Sequence, residues 1–287
     1  MKCPLCGSDK TPVCFARLDM KVRRCSACGM MFQGPDSAAR ANRELIEGIY
    51  REYVGHQEQH LRLNRARAAR LAGLFGRPLR GMRILEIGAG NGTLGSLLAE
   101  AGADYTGLEP LALCREAAVR LFPALASRLV PSKFSPGMFP AASFDAVIAT
   151  DTLEHMDEPL ACAAGLPALL RPGGKVYLEV PNEALLGFKG RLRVALGMYG
   201  GGYPTNPEHA SLFTRRSLEL FLRKAGLRPL TIFQDSVWGN PSRIKIAFNG
   251  EPPLPILAAS WFFYFTKLDL LLQQGVLTAL AAPEERP

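Results

Sequence analysis

The sequence predicts an α/β protein, a mostly parallel sheet with flanking helices behind a small Cys-rich module. Three observations lead there. From residue 81 on, short apolar runs (82–87, 105–108, 144–149 and 175–180) alternate with helix-length segments, the pattern of parallel strands joined by crossover helices. The first of these runs ends in Gly88-Ala89-Gly90-Asn91-Gly92. The N-terminus carries two Cys-x-x-Cys-Gly sequences.

Composition sets the outer bounds. The chain has 287 residues, 48% of them hydrophobic. That is enough for one large or two modest domains and excludes wholesale disorder or a collagen-like repeat. Seven cysteines are too sparse for a disulfide scaffold. The net charge is +8, and it resides in residues 1–82, where 15 Lys and Arg face 7 Asp and Glu. The remainder balances at 19 of each. A basic first third suits an anionic partner. The opening MKCPLCGSDK has no apolar signal region. The longest strongly apolar stretch, 254–265, falls short of the ~20 residues a membrane-spanning helix needs. A cytoplasmic protein is expected. Composition divides the chain into a module at 1–36, a helical linker or cap at 37–80, the main domain at 81–250 with a long insert at 183–213, and an apolar helix or tail at 251–287.

Cys3 and Cys6, then Cys25 and Cys28, have the spacing of a four-cysteine zinc site. Two thiolates three residues apart bend round one ion, and two such knuckles give tetrahedral coordination. Four thiolates close the shell, so the expected Zn2+ is structural. It stabilises a segment too small to fold by burial alone. The stretch between the pairs has room for a hairpin, with residues 20–24 as one strand.

The glycine-rich loop follows the strand Arg83-Ile-Leu-Glu86-Ile and precedes a helix at 93–101. Its glycines permit a sharp turn and close approach of a ligand to the backbone. The third Gly comes one residue too early for the G-x-G-x-x-G form that holds a dinucleotide pyrophosphate. Glu86 would repel a phosphate and attract a cation.

These segments, with Tyr105-Thr-Gly-Leu-Glu109, Phe144-Asp-Ala-Val-Ile-Ala-Thr-Asp151-Thr-Leu-Glu154-His155 and Leu170-Arg-Pro-Gly-Gly174, resemble the class I S-adenosylmethionine-dependent methyltransferases over residues 81–249. The resemblance implies a Rossmann-like, seven-stranded sheet and S-adenosyl-L-methionine as cofactor. It implies that Glu109, followed by Pro110, accepts the ribose hydroxyls. Gly88, Ala89, Gly90, Asn91 and Gly92 would meet the methionine carboxylate, and Glu86 the ammonium. Asp151 closes the strand that faces the methyl group and would touch the acceptor or the cofactor, or cap the next helix. Family members often bind adenine through an acid after the third strand. Here Ser132-Lys133-Phe134 stands there without one, leaving Ser132 and the Phe134 ring as the adenine contacts.

A hydroxyl acceptor must be aligned with the methyl–sulfur bond and must lose a proton. Of the four histidines, His155 lies just past the fourth strand and is the first candidate for that base, with a turn-shaping role as the alternative. His209, ahead of a helix at 215–225 capped by Thr214, either lines the acceptor pocket or orders its loop. The insert, with Tyr199 and Tyr203, reads as a lid. A helix at 37–75 is expected over the cofactor cleft, with Leu61, Leu71 and Leu74 inward and Arg62, Arg65, Arg67 and Arg70 solvated.

The expected acceptor is a small molecule or saccharide, free or linked to a nucleotide or lipid. Zinc-knuckle relatives that methylate sugars support that by resemblance. RNA is the second choice, because the basic module suits it while Asp151-Thr-Leu-Glu lacks the Pro-Pro-aromatic of enzymes that methylate base amines. DNA is not expected. A non-catalytic interaction protein with a relict cofactor fold is the third reading, opposed by the intact loop and Glu109. The aromatic tail around Trp261–Phe265 either packs on the domain or a second subunit, or lies on a membrane surface.

Overall fold

A computed structural model describes residues 1–17, 19–34, 37, 43–156, 158–184, 207–235, 254, 258, 262 and 275–284. Strands β1 (Val13–Arg17), β2 (Met20–Arg24) and β3 (Met31–Gln33) open the chain. Helices α1 (Arg43–Gly55) and α2 (Gln57–Phe75) follow. Then come β4 (Arg83–Ile87), α3 (Thr93–Glu100), β5 (Asp104–Leu108), α4 (Ala112–Leu121), β6 (Leu129–Val130) and β7 (Phe144–Thr150). The chain continues through α5 (Pro159–Ala163), α6 (Leu166–Leu169), β8 (Leu170–Pro181), β9 (Ser211–Leu212), α7 (Arg215–Lys224), β10 (Leu227–Asp235) and β11 (Val276–Pro283).

The main sheet has seven strands in the order β10-β11-β8-β7-β4-β5-β6. Strands β4 to β8 pair in parallel, and β11 runs antiparallel to both its neighbours. The chain builds outward from β4 through β5 to β6 and then returns to β7 on the other side. The reversal opens a crevice at the C-terminal ends of β4 and β7, where ligands bind in open α/β sheets.

Side chains alternate along each strand, so the two faces feed two cores. Leu85, Ile87, Val147, Ala149, Val176 and Leu178 join one core with Leu218, Phe221 and Leu222 of α7. Ile84, Tyr105, Ala146, Ile148 and Tyr177 join the other with Leu71 and Phe75 of α2 and Leu94 and Leu98 of α3. Glu86 and Glu179 share that second parity, so two carboxylates enter the face that α2 covers.

Three expectations need correction. The apolar end of the chain is not all helix or tail: Val276–Pro283 is an inner strand between β8 and β10, and Ala279 and Ala281 are fully buried. Its alternation was too uniformly apolar to separate from the preceding hydrophobic run. The helix at 37–75 is two helices that meet at His56, and α2 buries His60, Leu63, Asn64, Arg67, Leu71 and Phe75. Leu61 and Leu74 are half-buried. Arg62 and Arg65 are exposed as expected, but Arg67 is buried and bound to acids inside.

The N-terminal strands form a second sheet, β1-β2-β3-β9. Its last strand comes from just before α7, so the Cys-rich module is sewn to the main domain. Cys3, Leu5, Cys25, Cys28, Met30 and Phe32 share the first core with α7. Thr214 caps α7 as expected, with reciprocal bonds to Ser217. No helix among the described residues is long and apolar enough to cross a membrane. Tyr199, Tyr203 and most of the insert, and Trp261 with most of the aromatic run, lie outside the described residues.

Candidate active site

The glycine-rich loop leaves β4 and turns into α3, as its sequence dictates. Gly88 and Gly90 have φ of +81° and +53°, which L side chains rarely adopt. A Cβ at Gly90 would run into the Tyr53 hydroxyl of α1, and one at Gly88 into Thr152. Protein side chains already fill both positions, so the tight turn and its packing admit glycine alone. Ala89 and Asn91 are buried, and Asn91 Oδ1 accepts from the Thr93 hydroxyl at 3.0 Å. Asn91 Nδ2 is buried with no partner among the described residues, a donor left for a ligand at this loop.

Glu109 ends β5 beside the loop. Its two oxygens accept from Gly90 N and Leu111 N, both at 2.8 Å. Burial pushes its carboxyl up, against the pull of those N–H groups and of Arg115. Pro110 is exposed and its carbonyl accepts from Arg115 at 2.7 Å. Glu86 is fully enclosed and accepts from the Tyr105 hydroxyl at 2.6 Å. Burial raises it to about 8. Ser132 is half-buried with its hydroxyl on the Lys133 carbonyl, Lys133 is exposed, and Phe134 is packed into the first core.

Asp151 follows β7 at a φ of +50°, a left-handed conformation that Asp tolerates better than most residues. Its carboxylate accepts from Arg67 Nη2 at 2.7 Å. Arg67 also donates to Glu179 through Nε at 2.9 Å, and to Asn64 Oδ1 at 2.8 Å. Asn64 donates to Thr93 at 2.5 Å, and the Tyr177 hydroxyl donates to Glu179. One buried network thus ties α2 to the glycine loop, to Asp151 at the mouth of the crevice and to β8. Sequence reading missed it because an arginine among arginines looks solvated.

On the other side of Asp151, residues 153–155 form a short 3-10 turn. His155 Nδ1 lies 3.3 Å from Glu208 Oε2, and the His155 and His209 rings meet edge to face at 4.9 Å. Burial lowers His155, but the nearby Glu208 carboxylate and the charges of Glu154 and Asp151 outweigh it and raise it above its ordinary value. Burial and the charge of His155 push His209 well down. Glu154 is buried with neither oxygen partnered among the described residues, and burial raises it to about 8. Ligand atoms of Glu154, His155 and His209 lie within 4.8 Å of one another. Tyr50 of α1 faces the Glu208 carboxylate: burial, with the charges of Glu208 and Glu109, pushes its hydroxyl well up. Tyr50 and Glu208 were visible in the sequence only as letters in quoted segments; nothing local marked them as partners.

The four predicted cysteines converge. Cys3 and Cys28 Sγ are 3.6 Å apart, Cys6 and Cys25 Sγ 3.5 Å. All four sulfurs lie within 4.8 Å of one another. Tetrahedral zinc with Zn–S near 2.3 Å sets sulfurs roughly 3.8 Å apart, so the donor set fits. In each knuckle the glycine N–H donates back to the first cysteine carbonyl, Gly7 to Cys3 and Gly29 to Cys25, both at 2.9 Å.

The fold, the loop and the strand-end acids build a ligand crevice at the open end of an α/β sheet, and comparison with known proteins places that arrangement in a family. The chain belongs to a methyltransferase-domain family, which matches residues 54–232. It carries the methyltransferase domain that defines that family. It is 33% identical over 159 residues to the ubiquinone biosynthesis O-methyltransferase of Xanthomonas axonopodis pv. citri, covering 52% of this chain and 63% of that one. It is 34% identical over 116 residues to the protein of that name from Methylocella silvestris, covering 39% and 44%. The chain thus spans less than two thirds of the curated relatives it matches. Among solved structures, the 1,6-didemethyltoxoflavin-N1-methyltransferase of Burkholderia thailandensis aligns with a TM-score of 0.53 at 16% identity, over 96% of this chain and 100% of that one. The magnesium protoporphyrin IX methyltransferase of Synechocystis aligns with a TM-score of 0.50 at 16% identity, over 79% and 84%. At such identity these structures attest the fold.

A pH dependence follows from Glu86. Burial holds it at about 8 in the folded chain, above the ordinary 4.5 of a glutamate carboxyl. Between those values the folded chain holds a proton that the unfolded chain has released. Stability therefore falls as pH rises through that window. Glu86→Gln is expected to flatten the slope, read as denaturation midpoints at pH 5 and pH 8. An unchanged slope would show that Glu86 does not titrate in that window, which it shares with Glu154.

Proposed function

We propose that this chain transfers a methyl group from S-adenosylmethionine to a hydroxyl of a small acceptor, with His155 as the general base. The observation that carries the reading is the His155–Glu208 contact at the open end of the sheet, beside Asp151. The O-methyltransferase names of the sequence relatives support it.

The cofactor supplies a sulfonium methyl that is already electrophilic. The chain's own groups do the rest. Glu109 takes the ribose hydroxyls on the lone pairs its backbone partners leave open. Gly88, Gly90 and the Asn91 amide meet the amino-acid carboxylate, and the Glu86 carboxyl, raised in the free chain, gives up its proton to face the ammonium. Glu208 holds the Nδ1 side of His155, so Nε2 is the nitrogen free to accept the acceptor's proton. Asp151, fixed by Arg67, keeps the developing imidazolium in a negative field. Cys3, Cys6, Cys25 and Cys28 hold one structural zinc, expected as a single equivalent by elemental analysis and lost in Cys25→Ser.

A base must be neutral to act. His155 is raised, so the rate is expected to fall as pH drops through a value above the ordinary 6.5 of histidine. Glu208→Gln removes the strongest raising influence and is expected to move that acidic limb to lower pH while slowing the reaction. His155→Ala is expected to lose 10²- to 10⁴-fold. A full rate in His155→Ala would remove the base.

A second reading is favoured by the unpartnered, buried carboxylate of Glu154. Glu154, His155 and His209 would then hold a divalent cation that binds the acceptor oxygen and lowers its pKa. Chelator-sensitive transfer, restored by Mg2+ or Zn2+, would select this version over the metal-free base.

A further inference from the structure

The N-terminal module reaches the acceptor side of the crevice through one buried amide. Gln33, the last residue of β3, is 4% exposed. Its Nε2 donates to the carbonyls of Pro207 at 2.9 Å and His209 at 2.8 Å. Its backbone N–H donates to Ala210 O at 2.9 Å. Its Oε1 accepts from the Ser37 hydroxyl at 2.5 Å, and that hydroxyl accepts in turn from Lys21 N at 3.1 Å. Two carbonyls facing one end of the amide require the NH2 group there, which fixes its orientation. Three bonds therefore staple residues 207–210 to a strand more than 170 residues earlier.

The stapled segment carries Glu208 and His209. Among the described residues, the further pairing of this edge is the two-residue ladder Met31↔Leu212 and Phe32↔Ser211. We propose that Gln33 is a positioning residue for the acceptor site: by clamping the carbonyls on either side of Glu208, it sets where Glu208 meets His155 and where the His209 ring packs. The inference rests on the reading of His155 as an acceptor-side group. It assigns the Cys-rich module a role in shaping that site.

Local burial alone does not account for the arrangement. A side chain that merely filled space here would be apolar. A buried amide is tolerated only with all its polar valences met, and Gln33 meets them on the backbone next to the two site residues. A displacement of about 1 Å in a positioning group costs on the order of 10²-fold in rate, so a clamp of this kind has a measurable consequence.

The chain's four histidines make the test direct. The Cε1–Hε1 region of the NMR spectrum of the full-length protein contains one signal each for His56, His60, His155 and His209, assignable by single substitution. Gln33→Met keeps the side-chain length and removes both donors. The expected result is displaced His155 and His209 signals, unmoved His56 and His60 signals, and S-adenosylhomocysteine affinity within twofold of the parent by calorimetry. If Gln33→Met does not fold, Ser37→Ala leaves the amide in place and removes the bond that orients it. The same two signals should then move by a smaller amount. Unmoved His155 and His209 signals in the variant that folds would overturn the proposal, and so would a change spread over all four histidines with lost cofactor affinity. Neither outcome depends on the acceptor chemistry, which fails separately if His155→Ala keeps its rate.

Discussion

Replacing Arg67 by methionine is expected to cost about 3–5 kcal/mol of folding stability, the range for breaking a buried ion pair from one side. Arg67 sits in the α2 face that packs on the sheet, with side-chain exposure of 7%, and its partner Glu179 has 0%. Removing the guanidinium leaves the Glu179 carboxylate in the core without the charge that faced it, while the Tyr177 hydroxyl still donates to it. Against a typical total of about 5–15 kcal/mol, that is a large share. Chemical denaturation at pH 7 reads it as a lower midpoint with an unchanged slope. Arg67→Met with Glu179→Gln is expected to recover much of the loss, since the orphaned charge goes too. Equal losses in the single and double variants would mean that packing, rather than charge, is the function of the pair.

Glu109→Ala is expected to weaken S-adenosylhomocysteine binding roughly 100- to 1,000-fold. The carboxylate offers two charge-assisted bonds to a diol, each worth about 1.5–3 kcal/mol, and a net loss of about 3–4 kcal/mol corresponds to that range. The same substitution removes the bonds to Gly90 N and Leu111 N, so the loop loses its anchor as well as its ligand group. Glu109→Gln keeps one acceptor oxygen and is expected to fall between. Titration calorimetry decides it: an affinity within threefold of the parent would take Glu109 out of the cofactor site.

What could be read from the sequence was local. Gly88 to Gly92, Glu109 at the end of β5, and the two cysteine knuckles each announce themselves within a dozen residues, because the conformation or coordination they need is written in adjacent letters. Thr214 was legible as a cap for the same reason. The Arg67 network was not. Its members, Asn64, Arg67, Asp151, Tyr177 and Glu179, come from three elements, and a charged residue at helical spacing reads as surface until its partner is known. Glu208 was passed over beside His209 because its role depends on His155, some fifty residues earlier. Strand β11 was hidden differently. An inner strand buried on both faces loses the alternation that marks a strand, and Val276–Pro283 follows an apolar run that draws the eye to a tail.

The chemistry of the site rests on the crevice at β4, β5 and β7 holding the cofactor with its sulfur toward His155. A crystal structure of the protein with S-adenosylhomocysteine tests this most directly. The expected result is ribose hydroxyls on Glu109, the amino-acid carboxylate against the Gly88–Gly90 backbone, and the sulfur facing the space bounded by Asp151, His155 and His209. A ligand bound elsewhere, or one whose sulfur points away from His155 with no room for an acceptor between them, would contradict the account.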